Sequence, residues 1–159
     1  ITAKAGSSEE ADALIQPVEQ TIRQRLGNCI YGADQETLEA IALETVNRNG
    51  WTLAVVESGL AGDLIRRLAS APGPFLGGQM LTETPSPEDL MIFTDEYRQA
   101  RGADVGLGVA IHPASQKQDV YLVIITPESR QQFMRPYGGP PEYAPRWALH
   151  HSLDIIRKL

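Results

Sequence analysis

The stretch Gly50–Ala69, GWTLAVVESGLAGDLIRRLA, limits the possible folds more than any other part of the chain. Thr52–Val56 is a short apolar run with a β-branched end, which suits a strand buried on both faces. Glu57-Ser58-Gly59 reads as its break. Leu60, Ala61, Leu64, Ile65, Leu68 and Ala69 then recur at three- and four-residue spacing, the stripe of a helix packed on a sheet. Arg66 and Arg67 fall near that helix's C-terminus, where the backbone dipole favours cations. Small residues at the turn let a ligand approach backbone N–H groups at a helix start, an arrangement suited to anions.

The same alternation continues on either side. Ile1–Lys4 reads as a strand without partners. Ser7 and Glu10 then form a capping box before an apolar stripe from Ala11 to Leu26, with Pro17 predicting a kink or a restart. Cys29–Tyr31 reads as extended. Asp34 is the expected cap of a helix carrying Leu38, Ile41, Ala42, Thr45 and Val46, which ends at Asn49-Gly50. Phe75–Leu81 predicts a strand in which Gly77 and Gly78 mark a bulge or a close backbone approach. Ser86-Pro87-Glu88-Asp89 is a helix start, with Leu90, Phe93, Tyr97 and Ala100 on the apolar side and Gly102 as the stop.

Val105–Ile111 and Val120–Thr126 read as buried strands, and Gln131–Arg135 as an antiparallel one. A loop at Pro136–Pro145 precedes a last helix, Arg146–Leu159. Helices alternating with short apolar strands predict a three-layer α/β/α sandwich with a mixed, mostly parallel sheet. In such sheets ligands bind at the carboxyl ends of strands. The candidate turns are therefore Glu57–Gly62, Thr82–Pro87 and His112–Lys117.

Composition narrows the function. With 159 residues, 42% hydrophobic and 21% charged, the chain suits one compact domain with room for an appendage. A net charge of −6 and the absence of a basic run argue against a nucleic-acid or anionic-lipid surface. Cys29 is the one cysteine and no Cys/His cluster has zinc spacing, so neither an internal disulfide nor a structural metal is expected. This usage points to a reducing, cytoplasmic setting. No apolar run approaches the ~18 residues of a membrane span. The chain opens at Ile1 in a strand-like run, as a piece of a longer protein would.

Tyr31-Gly32-Ala33-Asp34-Gln35-Glu36-Thr37-Leu38-Glu39, then Gly50 through Ser58, Phe75-Leu76-Gly77-Gly78 and Arg146-Trp147-Ala148, resemble the C-terminal domain of the competence/damage-inducible CinA family. The resemblance covers residues 32–159. Residues 1–31 are similar to the end of the KH-type segment that precedes this domain in full-length CinA. The resemblance implies an α/β/α fold, homodimers, a bacterial cytoplasmic setting and no cofactor. It also implies an amidohydrolase that converts nicotinamide mononucleotide to its acid form and ammonia.

On that resemblance Glu57 and Ser58 are the catalytic candidates. Gly59, Gly62, Gly77, Gly78, Thr82, His112 and Arg146 are the ligand-binding ones, for a small nucleotide. Departures from the family pattern are concentrated at the site. The turn E-S-C-T-G-G is here Glu57-Ser58-Gly59-Leu60-Ala61-Gly62, followed by Asp63 where an apolar residue is usual. Thr82 stands at the family's tyrosine and Pro87 at its lysine. Ala110-Ile111-His112-Pro113-Ala114-Ser115 replaces the nucleotide cradle, and Gly138-Gly139-Pro140 the G-D-R.

Amide hydrolysis needs a nucleophile or activated water, a proton carrier and oxyanion donors. Ser58 qualifies as a nucleophile only with a base in reach, for which Glu57 and His112 are the candidates. Glu57 equally suits the turn's N–H groups, and His112 a turn before Pro113. The intact core blocks beside the altered functional ones predict a degenerate CinA-type domain, retained for dimerisation, assembly or nucleotide binding. The alternative is an active amidohydrolase using Ser58. Trp147, Tyr137 and Tyr143 are candidates for stacking on a base.

Overall fold

A computed structural model describes residues 1–113 and 117–159 and divides the chain into two units, Ile1–Asp34 and Gln35–Leu159. The expected feature at Ala114-Ser115, within the His112–Lys117 turn, lies outside the described residues.

The first unit is one helix, α1 (Ser8–Leu26), followed by a 3-10 turn at Gly27–Cys29. Ser7 caps it by accepting from the Glu10 N–H, and the Glu10 carboxylate accepts in return from the Gly6 N–H at 2.9 Å. The helix runs unbroken past Pro17, and Thr21 Oγ1 donates to the Pro17 carbonyl at 2.9 Å. None of its residues is buried. Ile1–Lys4 is irregular rather than a strand, and Cys29 belongs to the 3-10 turn rather than an extended segment.

The second unit runs α2 (Leu38–Arg48), β1 (Leu53–Ser58), α3 (Asp63–Ser70), β2 (Phe75–Leu81) and α4 (Pro87–Ala100). It continues through β3 (Val105–Pro113), β4 (Gln118–Ile125), β5 (Arg130–Tyr137) and α5 (Ala144–Ile156). The sheet order is β2-β1-β3-β4-β5; β1 pairs in parallel with both β2 and β3, and β4 is antiparallel to β3 and β5. Four strands therefore share one direction. On one face α2, α3 and α5 close over Leu53, Val55, Leu107, Val109, Leu122 and Ile124. On the other, α4 inserts Leu90 among Val56, Ala110, Val123 and Ile125. This is the expected α/β/α arrangement.

Several local expectations are revised. Thr37, not Asp34, caps α2 by accepting from the Ala40 N–H, and Asp34 sits in a turn with φ 53°. The apolar side of α4 is completed by buried Thr94, whose hydroxyl donates to the Leu90 carbonyl at 2.6 Å, while Phe93 is exposed. Strand β5 extends through Pro136 and Tyr137, so the predicted Pro136–Pro145 loop is shorter. The bulge foreseen at the glycines is real: Phe75 pairs with Leu53, but Gly77 pairs with the next residue, Ala54.

The crossover helices α3 and α4 lie on opposite faces, so the order reverses between β1 and β3. In open α/β sheets the carboxyl ends of the strands at such a reversal are the usual ligand position.

Candidate functional site

Strand β1 ends at Ser58, not before Glu57. Both residues are fully paired into the sheet, opposite Met80 and Leu81 on one side and Val109 and Ala110 on the other. Successive strand side chains point to opposite faces. Glu57 therefore joins Leu53 and Val55 on the α3 side, and Ser58 joins Val56 on the α4 side. The strand separates the two as a nucleophile–base pair, which corrects that candidate pairing.

Glu57 is wholly buried beneath the start of α3. Its Oε2 accepts from the Ile65 N–H at 3.2 Å, while Oε1 has no partner. Burial pushes the carboxyl above the ordinary carboxylate range, and the Asp63 charge adds to this. The backbone N–H groups of Ile65, Gly62 and Leu64 pull the other way and lose. Glu57 thus does what a capping side chain would do, since Gly62 at the N-cap offers none. The amides a phosphate would need at this helix start face an internal carboxylate instead.

The turn itself keeps its backbone shape. Gly59 has φ 83°, and a Cβ there would lie 3.0 Å from Ile111 Cβ, so only glycine fits. Ala61, at the position of a family glycine, is held at φ 54°. A left-handed conformation costs an ordinary residue ~1–2 kcal/mol. Asp63 is paired with Arg66 in the first turn of α3.

Ser58 is 2% exposed, and its hydroxyl donates to the Glu83 carbonyl at 3.1 Å. It fastens β1 to the loop between β2 and α4. That loop lines a cleft of about 310 Å³ with Thr82, Glu83, Ser86, Asp89 and Phe93. Pro87 is the first residue of α4, behind the Ser86 cap. The cleft wall thus carries two carboxylates and no cation. Gly78 is a packing glycine, since a Cβ would sit 2.4 Å from Ile65 Cγ1. Beside Gly77, the Arg101 guanidinium donates to the Leu76 carbonyl. These contacts place both glycines in the β2 scaffold rather than around an open cradle. Arg146 is exposed in the first turn of α5, on the α2–α3–α5 side, where its charge bears on His150.

His112 stands two residues past Ala110, the partner of Ser58, and so shares the α4 side with it. Its ring meets Tyr121 edge-on at 4.6 Å. Directly opposite on β4 is Asp119. His112 Nε2 and Asp119 Oδ1 are both closed off from water without a hydrogen-bond partner. With Glu57 Oε1, which lies on the opposite face, they are the only such side-chain atoms among the described residues. Asp119 is at the start of β4, beside the end of β3. Sequence reasoning missed Asp119, which belongs to no motif; only the β3–β4 register puts it beside His112. The described residues contain no group of three or more His, Cys, Asp or Glu able to hold a metal ion.

Residues 1–32 match the family described as damage-inducible protein CinA KH domain. A CinA-like protein from Desulfovibrio desulfuricans is 28% identical over 190 residues, covering 99% of this chain and 45% of its own. A putative competence-damage inducible protein from Moorella thermoacetica is 34% identical over 131 residues, covering 69% and 32%. The chain belongs to the CinA family. Its fold agrees with this: a CinA superfamily protein from Enterobacter cloacae superposes with a TM-score of 0.67 at 13% identity. That match covers 81% of this chain and 95% of the other. The chain spans less than half the length of these two relatives. No helix among the described residues is long and apolar enough to cross a membrane.

Proposed function

We propose that this CinA-type domain does not hydrolyse nicotinamide mononucleotide. It would serve a longer, cytoplasmic CinA-like protein as a homodimeric assembly or small-molecule-binding module. The observation that carries this reading is the use of the two candidate catalytic residues. Glu57 holds the start of α3, and Ser58 holds the Glu83 carbonyl. The family's tyrosine and lysine positions hold Thr82 and Pro87, neither of which can move a proton or hold a phosphate by charge. Removing one positioned acid–base group costs about 10²–10⁴ in rate, so losing both leaves little of the reaction.

The test is ammonia release from nicotinamide mononucleotide at high enzyme concentration, with wild type against Ser58→Ala, using protein shown by sedimentation to be dimeric. The expected result is no enzyme-dependent release. A hydrolase that uses Ser58 with His112, which shares its face of the sheet, would instead show release that vanishes in the variant.

A further inference from the structure

We propose that the cavity between α5 and β5 is a binding site for a small aromatic monocarboxylate, its ring seated on Phe133 and its carboxylate held by Arg135. This goes beyond the reading above, because the cavity lies on the α2–α3–α5 side of the sheet, opposite to Ser58.

The two-residue period of a strand puts Phe133, Arg135 and Tyr137 on one face of β5. Phe133 stands opposite Leu122 and Arg135 opposite Val120, both of which belong to the core under α5. Because β5 is the last strand of the sheet, this row lies along its edge. There α5 and β5 enclose a cavity of about 240 Å³. Leu122, Phe133 and Ile155 give it an apolar side, and Arg135, His151 and Asp154 a polar one. The volume falls below the ~300–1,000 Å³ usual for drug-sized ligands, which limits an occupant to about one substituted ring.

The charges select the ligand's polar group. Asp154 is already paired with Arg157 and with Lys158, which also lines the cavity. The Arg135 guanidinium makes no hydrogen bond or ion pair among the described residues; it rests over the Phe133 ring, 5.6 Å from the centroid. Burial holds the His151 imidazole below its ordinary range, helped by the Arg135 and Lys158 charges and opposed by Asp154, so it adds no second cation near neutral pH. Arg135 is therefore the cation left to meet a ligand. Its planar fork matches a carboxylate with two parallel N–H bonds. One unpaired cation suits one negative charge, whereas a doubly charged phosphate would meet stronger repulsion from Asp154.

The rings select the ligand's body. His151 packs on Trp147 with centroids 3.9 Å apart, and Trp147 on Tyr137 at 5.3 Å. This ladder fixes the His151 ring as a second aromatic wall beside Phe133, and aromatic groups pack on such walls offset or edge-on.

Three probes separate the parts of the proposal: benzoate, with ring and charge; benzamide, with the ring alone; and acetate, with the charge alone. Each is titrated into the chain while the His151 ring and Trp147 indole signals are followed by nuclear magnetic resonance. Benzoate is expected to shift both signals saturably and to bind at least tenfold more tightly than benzamide or acetate. Arg135→Gln, shown by melting to be folded, is expected to weaken benzoate at least tenfold. Arg130→Gln, which removes a charge on the same strand that is paired with Asp95, is expected to leave benzoate binding unchanged. The proposal is overturned if benzoate gives no saturable shift in the wild type, or if benzamide or acetate binds equally well. Affinity that is unchanged in Arg135→Gln, or equally weakened in Arg130→Gln, overturns it too.

Discussion

The two ends of β1 treat their polar groups in opposite ways. At the amino end, Thr52 and Asp104 close a reciprocal clamp. The Asp104 carboxylate accepts from the Thr52 N–H at 2.9 Å and from its hydroxyl at 2.8 Å, while the Asp104 N–H donates to that hydroxyl at 3.1 Å. These bonds hold the Asp104 carboxyl below the usual carboxylate range. At the carboxyl end, Glu57 Oε1, His112 Nε2 and Asp119 Oδ1 are buried and unmatched. An unmatched buried group forfeits ~1–3 kcal/mol of solvation. One end is built to hold β1 to β3. The other leaves polar atoms without a hydrogen-bond partner among the described residues, on both faces of the sheet.

Breaking the clamp should have the largest effect. Asp104→Ala removes a charged acceptor of two bonds and is expected to cost roughly 2–3 kcal/mol in urea denaturation. A loss below ~0.5 kcal/mol would mean that the amino end is no firmer than the other.

Glu57→Gln probes the opposite end through pH. The folded state holds the Glu57 proton more tightly than the unfolded chain does, because burial raises its pKa. Its contribution is therefore most favourable below the ordinary carboxylate range and diminishes as pH rises through the raised value. The slope is at most about 1.4 kcal/mol per pH unit. Glu39, Asp95, Asp104 and Asp154 are shifted down and give the opposite trend, stabilising above the ordinary range and losing that contribution as pH falls. Comparing wild type with Glu57→Gln from pH 4 to 8 cancels those four. The expected outcome is a wild-type deficit that grows with pH; parallel curves would show that burial of Glu57 carries no cost.

The smallest effect is at Ala61. Ala61→Gly relieves the left-handed strain but adds unfolded-state freedom, for a net gain of roughly 0.5–1 kcal/mol in melting experiments. A destabilised glycine variant would show that the Ala61 methyl contributes more than the strain removes.

The framework was legible in the sequence because its signals are local. Ser86-Pro87 sets the start of α4, and the Phe75–Leu81 strand has the predicted bounds. What local signals cannot carry is direction and register. Glu57 and Ser58 read as a break because they are polar, yet sheet pairing on both sides extends β1 through them. Their opposite faces follow from that extension and alter the candidate site entirely. Phe93 fits a helical stripe but is exposed, since Thr94 takes the inner position against Gly108. Asp119 gains meaning only from its pairing with His112, set by the β3–β4 hairpin.

The most direct measurement of the central claim, that the inherited catalytic residues now serve the fold, is ammonia release from nicotinamide mononucleotide by wild type and Ser58→Ala. The account predicts no enzyme-dependent release from either folded protein, and a lower melting temperature for Ser58→Ala because the Glu83 carbonyl loses its donor. Release by wild type that disappears in the variant would contradict it and make Ser58 a working nucleophile.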